Sequence, residues 1–173
     1  MRSNHPLLWI SLGMLSLWTA PGPAVAGDHV AEGVITVEAK KNIRVVYDIK
    51  TDEVAAGIGK ALYYLRGLYE AYAKQGVAPK DIHVSAVLHG PTVKWLLNDD
   101  AYQNQVGDPF AVNLNDHVIE ELIKLGASVE ACNVTMKSHG WKAADLLPGV
   151  RVVHDGYTRM IDLQQRGYAY IRF

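Results

Sequence analysis

Only one thiol is present, Cys132, and its position matters more than its type. It ends the run Val129-Glu130-Ala131-Cys132 and precedes Asn133-Val134-Thr135-Met136, where the pattern turns from strand to helix. A thiolate there faces the positive end of a helix and the unpaired backbone N–H groups of Asn133 to Thr135, which stabilise it as a nucleophile. His89 occupies an equivalent point, after the run Ile82 to Leu88 and before Gly90-Pro91. From a neighbouring strand end, a protonated imidazole would add an opposite charge to the thiolate. Cys132 and His89 are therefore the candidate reactive pair, with Asn133, Thr135 and Gly90 as candidate substrate-binding positions around them. A second reading stays open, because free cysteine is among the most buried residue types and packs as a small hydrophobe.

Other chemistries fit less well. A single cysteine excludes an intramolecular disulfide framework and any multi-thiolate zinc or iron–sulfur centre. His29, His83, His89, His117, His139 and His154, with Cys132 and Met136, are suitable ligand types for copper or zinc, but they show no tight metal-ligand spacing, and no metal is assigned. A hydrolytic Cys–His pair, with His89 or His154 as base, needs only that the two side chains meet in space. Gly57-Ile58-Gly59-Lys60 fails as a phosphate loop, since Val54 stands where glycine is needed and Ala61 where Ser or Thr is needed; it reads instead as helix with two small residues for close packing. No pattern calls for a cofactor. Asn133-Val134-Thr135 is formally a glycosylation sequon, read as coincidence beside the reactive turn. Tyr63, Tyr64, Tyr69 and Tyr72 recur at helical spacing and read as packing against sheet or subunit. With 17 Lys+Arg against 18 Asp+Glu and no basic patch, nucleic acid is not an expected partner.

The elements that must position these groups follow from periodicity. The β-branched run Ile43 to Ile49 is nearly continuous in apolar character and predicts a strand buried on both faces. After Thr51 and Asp52, apolar residues at Val54, Ile58, Leu62, Leu65, Leu68, Tyr69 and Tyr72 predict a long helix ending at Gly76. Further strands are expected at Ile82–Leu88, Val129–Cys132, Val150–Val153 and Tyr168–Ile171, and helices at Thr92–Leu97, Leu114–Leu125 and Tyr157–Gln165. Asn98 to Val112 reads as a long polar connection, either a lid or plain surface. Strands alternating with helices predict one α/β domain over 42–173, a three-layer α/β/α sandwich around a mainly parallel five-stranded sheet.

The N-terminal residues carry a different signal. Arg2, the apolar run Leu7 to Trp18, the breakers Pro21, Gly22 and Pro23, and Ala24-Val25-Ala26 together read as a cleavable secretory signal over 1–26. The run is too short to span a bilayer, so after cleavage at Gly27 no membrane attachment is expected. The lead-in 27–41 has no strong period, although Val34 to Glu38 alternates as a short edge strand would. A periplasmic or secreted protein is the expectation.

The stretch Val129 to Lys137, then Asp145-Leu146-Leu147-Pro148-Gly149-Val150, Gly156, and Leu163-Gln164-Gln165-Arg166-Gly167-Tyr168-Ala169-Tyr170-Ile171, resembles the DsrE/DsrF-like family of small sulfur-handling proteins. Val87-Leu88-His89-Gly90-Pro91 matches that family's upstream strand-end pattern, and the resemblance covers Ile43 to Phe173. It implies a flavodoxin-like sheet, assembly into a homotrimer or hexamer, a sulfur donor or acceptor protein as partner, and a persulfide-carrying role that maps only onto Cys132. Export sets this chain apart from the cytoplasmic sulfur-relay members. Two functions follow: a sulfur carrier or sulfurtransferase that depends on Cys132, and a small-ligand or partner-binding module on the same fold.

Overall fold

The computed structural model describes residues 33–173; the secretory signal expected at 1–26 and the first part of the lead-in lie outside them. Five strands form one parallel sheet: β1 (Ile43–Ile49), β4 (Ile82–Leu88), β5 (Ser128–Cys132), β6 (Arg151–Val153) and β7 (Ala169–Arg172). Their order across the sheet is β6-β5-β4-β1-β7. The chain thus builds outward from β1 in one direction, then returns to place β7 on the other side of β1. That reversal puts the connecting helix α5 (Gly156–Gln165) on one face of the sheet and α1 (Lys60–Lys74) with α3 (Asp116–Lys124) on the other. The expected three-layer sandwich with a five-stranded parallel sheet is present.

Strand alternation makes the two faces chemically different. Val45, Tyr47, Ile49, Val84, Ala86, Leu88, Val129 and Ala131 point to the α1 and α3 side and join Leu62, Leu65, Ile119 and Leu122 in the main core. The opposite positions, facing α5, hold only a small apolar cluster, Val46, Val87, Met160 and Leu163. Buried polar residues of β1, β4 and β5 share this alternate register: Asp48, Ser85 and Glu130.

The structure differs from the sequence expectations in several local elements. The long helix does not start after Asp52; residues 54–59 form a small hairpin, β2 (Val54–Ala55) with β3 (Ile58–Gly59), and the helix begins at Lys60. Ala56 and Gly57 turn that hairpin with positive φ, which a helix cannot accommodate. Gly59, read as a small helical residue, is instead a strand end pressed on Trp95, where a Cβ would lie 2.5 Å from the ring. The connection Asn98 to Val112 contains a helix, α2 (Asp99–Val106), which Asn98 caps by accepting from the Ala101 N–H and Gly107 ends in the left-handed conformation. The expected helix Thr92–Leu97 is a 3₁₀ helix, Gly90–Leu96, with Leu97 just past its end, and the Thr92 hydroxyl shares its one proton between the carbonyls of Ile49 and His89. No strand forms among residues 34–38; Val37 is tied instead to Gln75.

Candidate functional site

The carboxyl ends of the parallel strands carry the candidate residues, as the fold requires of a ligand-binding crevice. Cys132 is the last residue of β5 and directly precedes α4 (Asn133–His139), so strand passes to helix with no intervening loop. The thiol is buried, and no side chain caps the α4 N-terminus, which leaves its first N–H groups to whatever occupies the turn. The last paired residues of β4 and β5 are Leu88 and Ala131. One further step in that register sets His89 beside Cys132, both on the α5 side of the sheet, with strands about 4.8 Å apart.

The structure brings His89 into contact with groups other than the thiol. Its Nε2 lies 2.6 Å from Asp48 Oδ1, and both side chains are buried. Tyr170 donates its hydroxyl to Asp48 Oδ2, and Arg172 Nε stands 3.9 Å from the same oxygen. Burial, then the hydrogen bond and charge of Asp48, holds the Tyr170 phenol above its ordinary pKa, which keeps it a donor. A carboxylate only accepts, so the ring nitrogen facing Asp48 carries a proton. Tyr157 packs edge-on against the imidazole with centroids 5.3 Å apart, and Gly156 lies so close that a Cβ there would be 3.3 Å from His89 Cγ. These groups, with Lys50, Met160, Ile161 and Gln164, line a cavity of about 250 Å³.

Of the remaining expected site residues, Gly90 and Thr135 are partnered with each other. The Gly90 N–H donates to Thr135 Oγ1 at 3.0 Å, which ties the loop after β4 to the first turn of α4. Asn133 opens α4 and is half-buried. The alternative base His154 is exposed and pairs with Asp155 at 3.2 Å. His139 stacks on Trp141. Among the described residues, no group of three or more His, Cys, Asp or Glu side chains is placed to hold a metal ion.

Sequence reasoning missed Asp48, Tyr157, Tyr170 and Arg172. One signal was available: Asp48 is a carboxylate inside a run read as fully buried, and a buried charge must have partners. A second buried ion pair on the same face was missed too. Glu130 is bonded by Arg159 through Nε at 2.7 Å and through its second terminal nitrogen at 2.8 Å, and by Ser128 Oγ at 2.8 Å. Glu130 in turn raises the Arg159 pKa.

A parallel five-stranded sandwich with its candidate residues at the strand ends defines the fold class, and sequence comparison identifies the family. A model of the DsrE/DsrF-like family matches residues 57–173, and the chain belongs to that family. Among solved structures it is similar to a protein of unknown function, MTH1491 from Methanobacterium thermoautotrophicum, at 24% identity and TM-score 0.55, covering 76% of this chain and 99% of that one. It is also similar to the ychN protein from E. coli, at 13% identity and TM-score 0.53, with 76% and 99% covered. No curated protein matches.

Proposed function

We propose that this chain is an exported sulfur carrier of the DsrE/DsrF-like family that holds sulfane sulfur as a persulfide on Cys132. The observation that supports this most is the place of Cys132 at the junction of β5 and an uncapped α4, one register step from His89. In the loading step, the Cys132 thiolate attacks a terminal sulfur of a polysulfide. A new S–S bond forms, the bond inside the polysulfide breaks, and the shortened polysulfide leaves with the electron pair. The N–H groups of Asn133 to Thr135 stabilise thiolate and persulfide alike. A donor or acceptor protein would exchange sulfur at this strand end.

Export through the 1–26 leader and assembly into a homotrimer or hexamer belong to the same proposal. Exposed Phe110, Val112 and Leu114 after α2, together with half-exposed Tyr64 on α1, are apolar surface of the kind a subunit contact covers. A second reading, a small-ligand-binding module, is favoured by the cavity at His89, because Cys132 is not among its lining residues.

Mass spectrometry after exposure to polysulfide separates the two. The carrier reading expects additions of whole sulfur atoms on the wild type and none on Cys132→Ser. Equal additions on both proteins, or none on either, would replace it with the binding reading.

A further inference from the structure

The cavity beside His89 has a polarity that defines its ligand. Asp48 and His89 are each only 5% exposed, yet they lie in a wall of the cavity. Both carboxylate oxygens of Asp48 are engaged, Oδ1 by His89 and Oδ2 by Tyr170, so the carboxylate is not offered to a ligand. The proton on Nε2 is committed to Asp48, and the other ring nitrogen, Nδ1, makes no hydrogen bond among the described residues. With the ring neutral and its proton on Nε2, Nδ1 presents a lone pair that needs a donor. Two cations, Lys50 and Arg172, line the same cavity, and Tyr157, Met160 and Ile161 supply an apolar wall. The site stands next to β1, where the strand order reverses between β4 and β7 and where open parallel sheets bind their ligands. A volume of about 250 Å³ is below that of pockets for drug-sized ligands, so the occupant is small.

We infer that this cavity binds a small carboxylate that carries a protic group next to its charge, of the 2-hydroxy or 2-mercapto acid type. The carboxylate meets Lys50 and Arg172, and the O–H or S–H donates to His89 Nδ1. Asp48 is the positioning residue that sets the tautomer. The inference deepens the binding reading of the cavity and uses no property of Cys132, so sulfur loading and ligand binding can fail separately.

Calorimetric titration with glycolate, mercaptoacetate and acetate tests it, on wild type and on Cys132→Ser to exclude thiol exchange. Glycolate or mercaptoacetate binds saturably and about fivefold more tightly than acetate, the worth of one hydrogen bond, and the stronger of the two names the protic group. The double variant Lys50→Ala, Arg172→Ala weakens all probes by about tenfold. Asp48→Asn, whose amide can donate to Nε2 and so move the ring proton to Nδ1, abolishes the preference over acetate. A merely structural role for Asp48 would lower all affinities together and leave the preference intact. Imidazole nitrogen spectra of the wild type give a check that needs no substitution: Nδ1 is unprotonated and its signal moves with glycolate. Absence of saturable binding, equal affinity for the three probes, a preference that survives Asp48→Asn, or a ring protonated on Nδ1, alone or together with Nε2, would each overturn the proposal.

Discussion

The two faces of the sheet share the same strands and differ in almost every other respect. Toward α1 and α3, alternate residues of β1, β4 and β5 are uniformly apolar and pack with Leu62, Leu65, Ile119 and Leu122. Toward α5, the alternate residues include Asp48, Ser85, His89, Glu130 and Cys132, and among the described residues four buried apolar side chains make up the core. Buried charges contribute little net stability compared with apolar side chains of the same volume. The α1/α3 face therefore carries most of the stability, which leaves the α5 face able to hold costly buried polar groups.

Substitutions on the two faces should separate these roles. The largest effect is expected for Leu122→Ala, which removes a fully buried side chain from the main core. It should lower unfolding free energy by about 2–5 kcal/mol in denaturant titration while the surviving native protein loads sulfur normally. Next is Arg159→Ala, which strands the buried Glu130 carboxylate and should cost about 3 kcal/mol. Replacing both partners by Leu should recover much of that loss, because the uncompensated charge disappears with its partner. If the double variant is no better than Arg159→Ala, the pair contributes more to stability than this division of faces allows.

Smaller effects follow from single hydrogen bonds. Tyr170→Phe removes one donor to Asp48 and should cost about 1 kcal/mol, with Arg172 remaining nearby. The smallest is a pH effect at the start of α5. Asp155 accepts from the Thr158 hydroxyl and N–H, and these bonds, with His154, lower its pKa from 3.8 to about 2. A depressed folded-state value means that its contribution is fully present above the unfolded value and is lost as pH falls from about 4 toward 2. Asp155→Asn should flatten the stability–pH curve in that window and leave it unchanged near neutrality, which thermal melts across pH would show.

Much of this division is visible in the residues themselves. Ile43–Ile49 and Ile82–Leu88 coincide with their expected strands because long β-branched runs leave no competing period. The helix α2 was hidden because it has no fully buried residue and hence no apolar stripe; only Asn98 and Gly107 mark its ends. The start of α1 was misplaced because Val54 and Ile58 happen to fit a helical period, although Gly57 between them takes a positive φ. At the candidate site, the strand-end places of Cys132 and His89 are legible in the sequence. Their partners were not, since Tyr170 and Arg172 reach Asp48 only through β7 joining β1, a pairing that no local pattern encodes.

The account rests on Cys132 acting on a chemical face distinct from the stabilising one. The direct measurement is the initial rate of sulfur uptake from polysulfide, followed by mass spectrometry, for wild type, His89→Gln and the opposite-face control Ile119→Val. The account predicts slower uptake per native molecule in His89→Gln, and unchanged uptake in Ile119→Val although its melting temperature is lowered. Uptake that is equal in wild type and His89→Gln, or slowed alike by both substitutions, would contradict it.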